Sequence, residues 1–205
     1  MVLERLVSIR TAVREPGWML LIGGMISVIC LFISFLIFET SVGLFTTFLV
    51  TFAMTPFMLN LVTREEEIDE DKKQIEKLNI LQRHKDILKV YTAFFAGMIL
   101  SLSIVYLVLP DHIAERLFED QLKEIESIRG GFLFFDDFQK ILMNNIGVLF
   151  LSFLFSFLFG AGAVFILAWN ASVLAAAIGM AAKSIGGLKG FPLAILMFFP
   201  HGSLE

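Results

Sequence analysis

The stretch from Asn144 to Asn170 reads NNIGVLFLSFLFSFLFGAGAVFILAWN and decides the class of fold. From Ile146 to Trp169 there are 24 residues without a charged side chain. About 20 apolar residues are enough for a helix to cross the ~30 Å hydrocarbon core of a bilayer. The stretch therefore predicts a membrane-spanning helix with amide side chains at its two ends.

The composition of the whole chain agrees with a membrane solvent. Of its 205 residues, 57% are hydrophobic and 18% are charged, whereas a soluble domain is nearer half apolar and a quarter charged. The net charge is −4, whereas a nucleic-acid-binding domain is typically basic. The single cysteine, Cys30, cannot form an internal disulfide, and Cys/His spacings typical of zinc or redox sites are absent from the sequence. We therefore expect no nucleic-acid partner, no metal and no cofactor.

Hydrophobic runs predict at least four spans, at Trp18–Phe38, Ser41–Val62, Ile87–Leu109 and Ile146–Trp169. Only Glu39-Thr40 separates the first two, so a tight helical hairpin is expected. The fold class is all-α, a polytopic transmembrane helical bundle. Its predicted parts are an N-terminal amphipathic segment with two spans (1–62), a charged cytoplasmic helical loop (63–89), and a core with the other two spans, an outer amphipathic loop and C-terminal short helices (90–205).

The two large loops differ in character. Arg64–Lys89 alternates in charge and carries apolar residues at helical spacing, which predicts either a solvated extension of the flanking spans or a docking surface. In the outer loop Asp111–Phe135, we expect Asp111 to cap a helix. That helix has one apolar side, formed by Ile113, Leu117, Leu122, Ile125 and Ile128. It is predicted to lie on the membrane surface or on a partner.

The pattern changes again after Asn170. Ala171, Ala175 and Gly179 lie four residues apart, a spacing that lets two membrane helices approach closely. We expect this helix to be short and to end near Ala182. A glycine-rich stretch and a second apolar run follow, so a broken or re-entrant C-terminal element is predicted.

Several small and polar residues recur in an order that resembles one known family. They are Asn144 and Asn145, Gly160 and Gly162, Asn170, Gly179, and the closing Pro200-His201-Gly202 with Glu205. The chain resembles the stage II sporulation protein M family of integral membrane proteins over roughly residues 90–205. Ala163 and Ala171 replace the Thr and Gly that are usual in that family. The family pattern continues beyond Glu205 with a further hydrophobic helix, so we expect a shortened chain or a fragment of a longer gene product.

The resemblance implies a membrane scaffold or assembly subunit, because the founding member works with two partner proteins, one of them a peptidoglycan-degrading enzyme. We therefore expect no catalysis by this chain, the lipid bilayer as its surroundings, and protein partners or self-association in the membrane. The alternative is a transporter or channel-like protein with a site at the broken helices near Asn170 and His201. The Glu-Glu-x-x-x-Arg motif of prenyl-endopeptidase-type membrane proteases is not matched. Four residues after Glu66-Glu67 the chain has Asp71 in place of the Arg, which argues against that protease class.

The ionisable residues of the closing motif leave three interpretations open. If a helix begins at Pro200, His201 and Glu205 lie four apart on one face. They are then a structural hydrogen-bonding pair, a site for protons or ions, or two metal ligands, although two are too few for a closed zinc site. For the Asn residues, caps or interhelical hydrogen bonds are expected.

The Lys/Arg distribution predicts a multi-pass protein of the cell membrane with a cytoplasmic N-terminus. That orientation puts ten basic residues on the inner side and four on the outer side. In a variant without Cys30, a membrane-impermeant thiol reagent applied from outside should label a cysteine at Glu119 and spare one at Glu70. The reverse labelling would overturn the orientation.

Overall fold

The computed structural model describes residues 7–71, 84–130 and 161–198, together with single positions between 143 and 156. Within these ranges the chain is helical and contains no β-strand. Four of the described helices are long and apolar enough to cross a membrane, judged by length and composition. The predicted all-α, multi-span fold is confirmed.

The N-terminal part consists of helices α1 (Ile9–Arg14), α2 (Gly17–Ile37) and α3 (Val42–Asp71). Helix α2 and the apolar part of α3 are the first two predicted spans. In the link between them, Ser41 adopts a positive φ of 54°. Phe38 stacks on Phe45 across this link, with their ring centroids 3.6 Å apart. The predicted tight hairpin is therefore present.

The third predicted span is also confirmed, as helix α4 (Lys85–Val108). It is followed by two short helices, α5 (Asp111–Leu117) and α6 (Glu119–Gly130). Asp111 is the first residue of α5, and Pro110 occupies the N-cap position, so the prediction that Asp111 caps this helix is wrong. Its carboxylate binds a lysine of another helix instead.

The outer amphipathic segment packs on the bundle of its own chain. Phe118 interrupts it between α5 and α6, and Leu117, Phe118 and Gln121 are no more than 5% exposed. The ring of Phe118 lies edge-on to that of Tyr106 in α4, with centroids 5.3 Å apart. Four of the five residues of the predicted apolar side, Ile113, Leu117, Leu122 and Ile125, pack in or against the core of the chain, and the side chain of Ile128 is not described. The chain itself therefore covers much of this side.

The fourth predicted span, 146–169, is interrupted at Ala161, although the positions described between 146 and 156 are themselves helical. Helix α7 runs from Gly162 to Ile185, and Ala161 just before it has a non-helical backbone (φ −101°, ψ 2°). A single helix over 146–169 is therefore not formed. Asn170 lies within α7 rather than at a helix end. Its side-chain amide is satisfied there, because it donates a hydrogen bond to the Ile166 carbonyl oxygen at 2.8 Å. The alanine-rich sequence that follows has a high helix propensity.

The broken C-terminal element is confirmed. Gly186 and Gly187 have positive φ values of 121° and 70°, which favour glycine, and they end α7. After one turn of 3₁₀-helix, α8 (Phe191–Phe198) packs back on the bundle, where Ala194 is fully buried against the C-terminal parts of α4 and α7. The closing motif, Pro200–Glu205, lies outside the described residues.

Helix α4 lies between α2 and α7 and runs parallel to both. Gly23 of α2 packs on Phe94 of α4. Further along both helices, Ser27 of α2 pairs with Ser101 of α4, so the two helices run in the same direction. Gly179 in α7 packs on Tyr106, close to the C-terminal ends of both helices. Helix α3 runs the opposite way because of the hairpin.

The contact between α2 and α4 yields a stability prediction. A Cβ atom added at Gly97 would lie 2.8 Å from the carbonyl carbon of Leu20, and backbone cannot yield as a side-chain tip does. Gly97→Ala should therefore cost about 1–3 kcal/mol of stability through overpacking. Gly24→Ala is the matched control, because its Cβ would lie 3.4 Å from its nearest neighbours. Thermal unfolding in detergent should show a lower midpoint for Gly97→Ala alone, and equal midpoints would contradict the contact.

Candidate functional site

The small-residue face of α7 is a packing surface within the chain. Ala171 and Ala175 are fully buried. A Cβ atom at Gly179 would lie 2.7 Å from the Cβ atom of Tyr106 in α4. The predicted close approach of two helices is thus present, and α4 of the same chain supplies the second helix. The face is therefore not free to pair two copies of the protein.

A lysine fastens the C-terminal ends of α4 and α7 together. The Nζ atom of Lys183 donates hydrogen bonds to the Leu109 carbonyl oxygen at 2.8 Å and to Oδ1 of Asp111 at 2.6 Å. It also lies 5.1 Å from the centre of the Tyr106 ring. We call this arrangement the Lys183 clamp. A cation near the last carbonyls of two helices is favoured by their dipoles.

The Lys183 clamp lies at the edge of the predicted span. Asp111 is exposed, and the hydrogen bond from Lys183 together with its charge lowers the pKa of this carboxyl below its usual value. The side chain of Lys183 is only 23% exposed. Lys183 stands at the start of the glycine-rich stretch, and no local sequence pattern predicts this contact. The signal available was a basic residue just before the glycines that end a helix.

A buried amide ties α6 to α7 and α3. Gln121 is 1% exposed, and its Nε2 atom donates to Oγ of Ser172 at 3.1 Å. The side chain of Gln121 lies directly against Gly43 at the start of α3. Next to it, Asp120 accepts a hydrogen bond from the backbone N–H of Leu44 at 3.1 Å. A carboxylate at this position satisfies a free N–H of the helix and complements its dipole.

The hydroxyl groups of α3 are bonded to their own helix. Thr47, Thr51 and Thr55 are buried and lie four residues apart. Each donates to the carbonyl oxygen four residues earlier, at 3.2, 2.7 and 2.6 Å respectively. These bonds remove the cost of leaving a hydroxyl donor unsatisfied in an apolar interior. The three threonines thus form a satisfied stripe inside the bundle.

The described part of the predicted polar motif is divided between two sides of α7. Gly162 and Gly179 are buried, whereas Asn170 is exposed and bonded to its own helix. The remaining predicted residues, Asn144, Asn145, Gly160, Pro200, His201, Gly202 and Glu205, lie outside the described residues. Among the residues that are described, no group of three His, Cys, Asp or Glu side chains is placed to hold a metal ion.

A protein-family model described as Stage II sporulation protein M matches residues 90–205. The matched range begins in α4 and includes α5 to α8. It therefore contains all four residues of the Lys183 clamp, the Gln121 contact with Ser172, and the close approach at Gly179. No curated protein and no solved structure matches the chain.

The α4–α7 contact can be tested by inserting the same side chain on both sides of α7. Gly179→Leu should lower thermal stability in detergent by about 1–3 kcal/mol or more, because the added atoms would overlap the Tyr106 side chain. Asn170→Leu should change stability little, because that position is exposed. Unchanged stability of Gly179→Leu would show that this face meets only lipid.

Proposed function

The chain belongs to the stage II sporulation protein M family, and we propose that it is an integral membrane scaffold or assembly subunit with no catalysis of its own. We place it in the cell membrane with a cytoplasmic N-terminus, on the basis of its basic-residue bias. Its partners on this proposal are other proteins of the membrane. Self-association would use a surface other than the small-residue face of α7, which α4 already covers.

The observation that carries the proposal is the use of polar side chains to join helices. Ser27 and Ser101 join α2 to α4 with their hydroxyl oxygens 3.0 Å apart. Gln121 joins α6 to α7, and Lys183 joins α7 to α4 and α5. A rigid frame of this kind holds its outer surfaces in fixed positions, which is what an assembly subunit requires.

Helix α3 continues beyond its apolar part into a segment rich in acidic residues. The apolar part of this helix ends at Arg64, and the helix continues to Asp71. Those seven further residues add about 10 Å of helix at ~1.5 Å per residue. Six of them are acidic: Glu65, Glu66, Glu67, Asp69, Glu70 and Asp71. A partner with a basic surface would complement this extension.

The alternative, a transporter or channel-like protein, has weaker support. Its proposed site joined Asn170 to His201 across broken helices, but α7 is continuous through Asn170 and the amide bonds within that helix. The interruption at Gly186 and Gly187 comes sixteen or more residues later in the sequence. The interruption and Asn170 therefore do not form one broken-helix site.

Reconstitution in vesicles and complex formation separate the two functions. A scaffold predicts no proton or ion flux above protein-free vesicles from pH 5 to 8, and His201→Gln should leave assembly unchanged. Replacing Glu65, Glu66 and Glu67 with Gln should reduce the recovery of a larger complex from native membranes in mild detergent. Replacing Glu39, Glu115 and Glu126 with Gln is the control and should not.

Two results would contradict the scaffold. One is a pH-dependent flux in the wild type that His201→Gln abolishes, since His is the side chain that normally titrates in this range. The other is a chain that migrates as a monomer in native membrane extracts from cells in which it is active.

A further inference from the structure

An open groove runs between α2 and α4 on the outside of the bundle. Its volume is about 500 Å³, which is within the range of ~300–1,000 Å³ typical of small-molecule sites. Gly24, Gly97 and Ser101 are among the residues that line it, together with larger apolar side chains such as Leu21 and Val28. Leu21 is 55% exposed and Val28 is 37% exposed. The groove therefore opens toward the lipid.

The groove exists because two helices approach closely at glycines. A Cβ atom at Gly97 would lie 2.8 Å from the carbonyl carbon of Leu20, so the two backbones are in direct contact there, whereas a Cβ atom at Gly24 would lie 3.4 Å from its nearest neighbours. The hydroxyl of Ser101 is paired with that of Ser27 and donates to the Met98 carbonyl oxygen at 3.1 Å. The groove thus presents an apolar surface, which fits a hydrocarbon chain.

Basic side chains lie at the α1 end of this groove. Arg10 and Arg14 of α1 and Lys85 and Lys89 of α4 are exposed, and α1 packs on α4. Lys89 pairs with Asp86 at 3.5 Å, and its side chain is 54% exposed, so the ammonium group also faces the surroundings. Lys89 precedes Leu100 of the groove by eleven residues, which is about 20° from the same helix face and ~16 Å along the axis.

Trp18 lies at the same level, on the α2 side. It is 48% exposed, and its Nε1 atom donates to a carboxylate oxygen of Glu15 at 3.1 Å. It precedes Met25 of the groove by seven residues, two turns of the helix. Trp is enriched where a membrane meets water, and basic residues near that level attract anionic lipids. The end of the groove is therefore at headgroup depth.

We propose that this groove binds one anionic phospholipid, with an acyl chain between α2 and α4 and its phosphate among Arg14, Lys85 and Lys89. An apolar helix from a second copy would fill the groove but would add no negative charge at the basic end, where Asp86 pairs with Lys89. A zwitterionic lipid would fill it as well, but would gain less from three cations. The assignment does not depend on the scaffold function.

Trp18 provides the probe for this site. The chain has two Trp residues, so Trp169→Phe leaves Trp18 as the single fluorophore. The protein is placed in two kinds of phosphatidylcholine nanodisc. One contains a minor fraction of phosphatidylglycerol with brominated acyl chains, and the other contains the same fraction of brominated phosphatidylcholine. Bromine quenches Trp fluorescence on contact. The brominated phosphatidylglycerol should quench Trp18 several-fold more strongly than the same fraction of brominated phosphatidylcholine.

Two pairs of variants test the headgroup and the groove separately. Arg14→Gln, Lys85→Gln and Lys89→Gln together should remove the preference, whereas neutralising Lys123, Arg129 and Lys189 should not. Val28→Phe should fill the groove and weaken quenching, whereas Ile33→Phe should not, because Ile33 is similarly exposed (39%) and lies outside the groove lining. Circular dichroism melting curves confirm that each variant is folded.

Three outcomes would overturn the proposal. Equal quenching by the two lipids would remove the anionic specificity. A preference that survives neutralisation of Arg14, Lys85 and Lys89 would place the lipid elsewhere. Weak quenching by both lipids that rises when the protein is diluted into excess lipid would show that a second copy covers the groove.

Discussion

Close backbone contact at three glycines holds α4 between its two parallel neighbours. Gly97 packs on the backbone of Leu20, Gly23 on Phe94, and Gly179 on Tyr106. In a bilayer an apolar side chain gains little by leaving lipid for protein, so association depends on close packing and on interhelical hydrogen bonds. The position of α4 therefore depends on residues that lack a side chain, and the other elements are placed around it.

The polar contacts fix how the packed helices are oriented relative to one another. The Lys183 clamp joins the C-terminal ends of α4 and α7, which fixes them as parallel. Gln121 and Asp120 attach α6 to α7 and to the start of α3. The outer segment thereby becomes part of the bundle. These contacts favour one specific arrangement of the helices, which the proposed scaffold function requires.

The sequence predicted the first three spans to within a few residues, because uninterrupted apolar runs bounded by charges and Pro110 leave few alternatives. The predicted fourth span runs through the break at Ala161, because charge-free sequence continues from Ile146 to Ala182 and hydropathy has no signal for where a helix begins within such a run. Asn170 was read as a boundary, but it can satisfy its amide on its own helix.

The roles of Gln121 and Lys183 are not predicted by the sequence, and the physical reason is the same for both. Gln121 and Lys183 owe their roles to contacts 51 and 74 residues away in sequence, which local patterns do not contain. The small-residue face of α7 was recognised from its spacing, but a spacing does not identify the partner. Here the partner is α4, so the small-residue face packs within the chain and is not available for self-association.

The parallel order of α4 and α7 can be measured directly with pairs of spin labels in a variant without Cys30. Labels at His112 and Ser184 should be close, because both sites lie beside the Lys183 clamp. Labels at His112 and Ala163 should be farther apart by roughly 30 Å, since 21 residues of helix separate the two α7 positions at ~1.5 Å each. The reverse order of distances would show that α7 runs antiparallel to α4 and would contradict this account of the bundle.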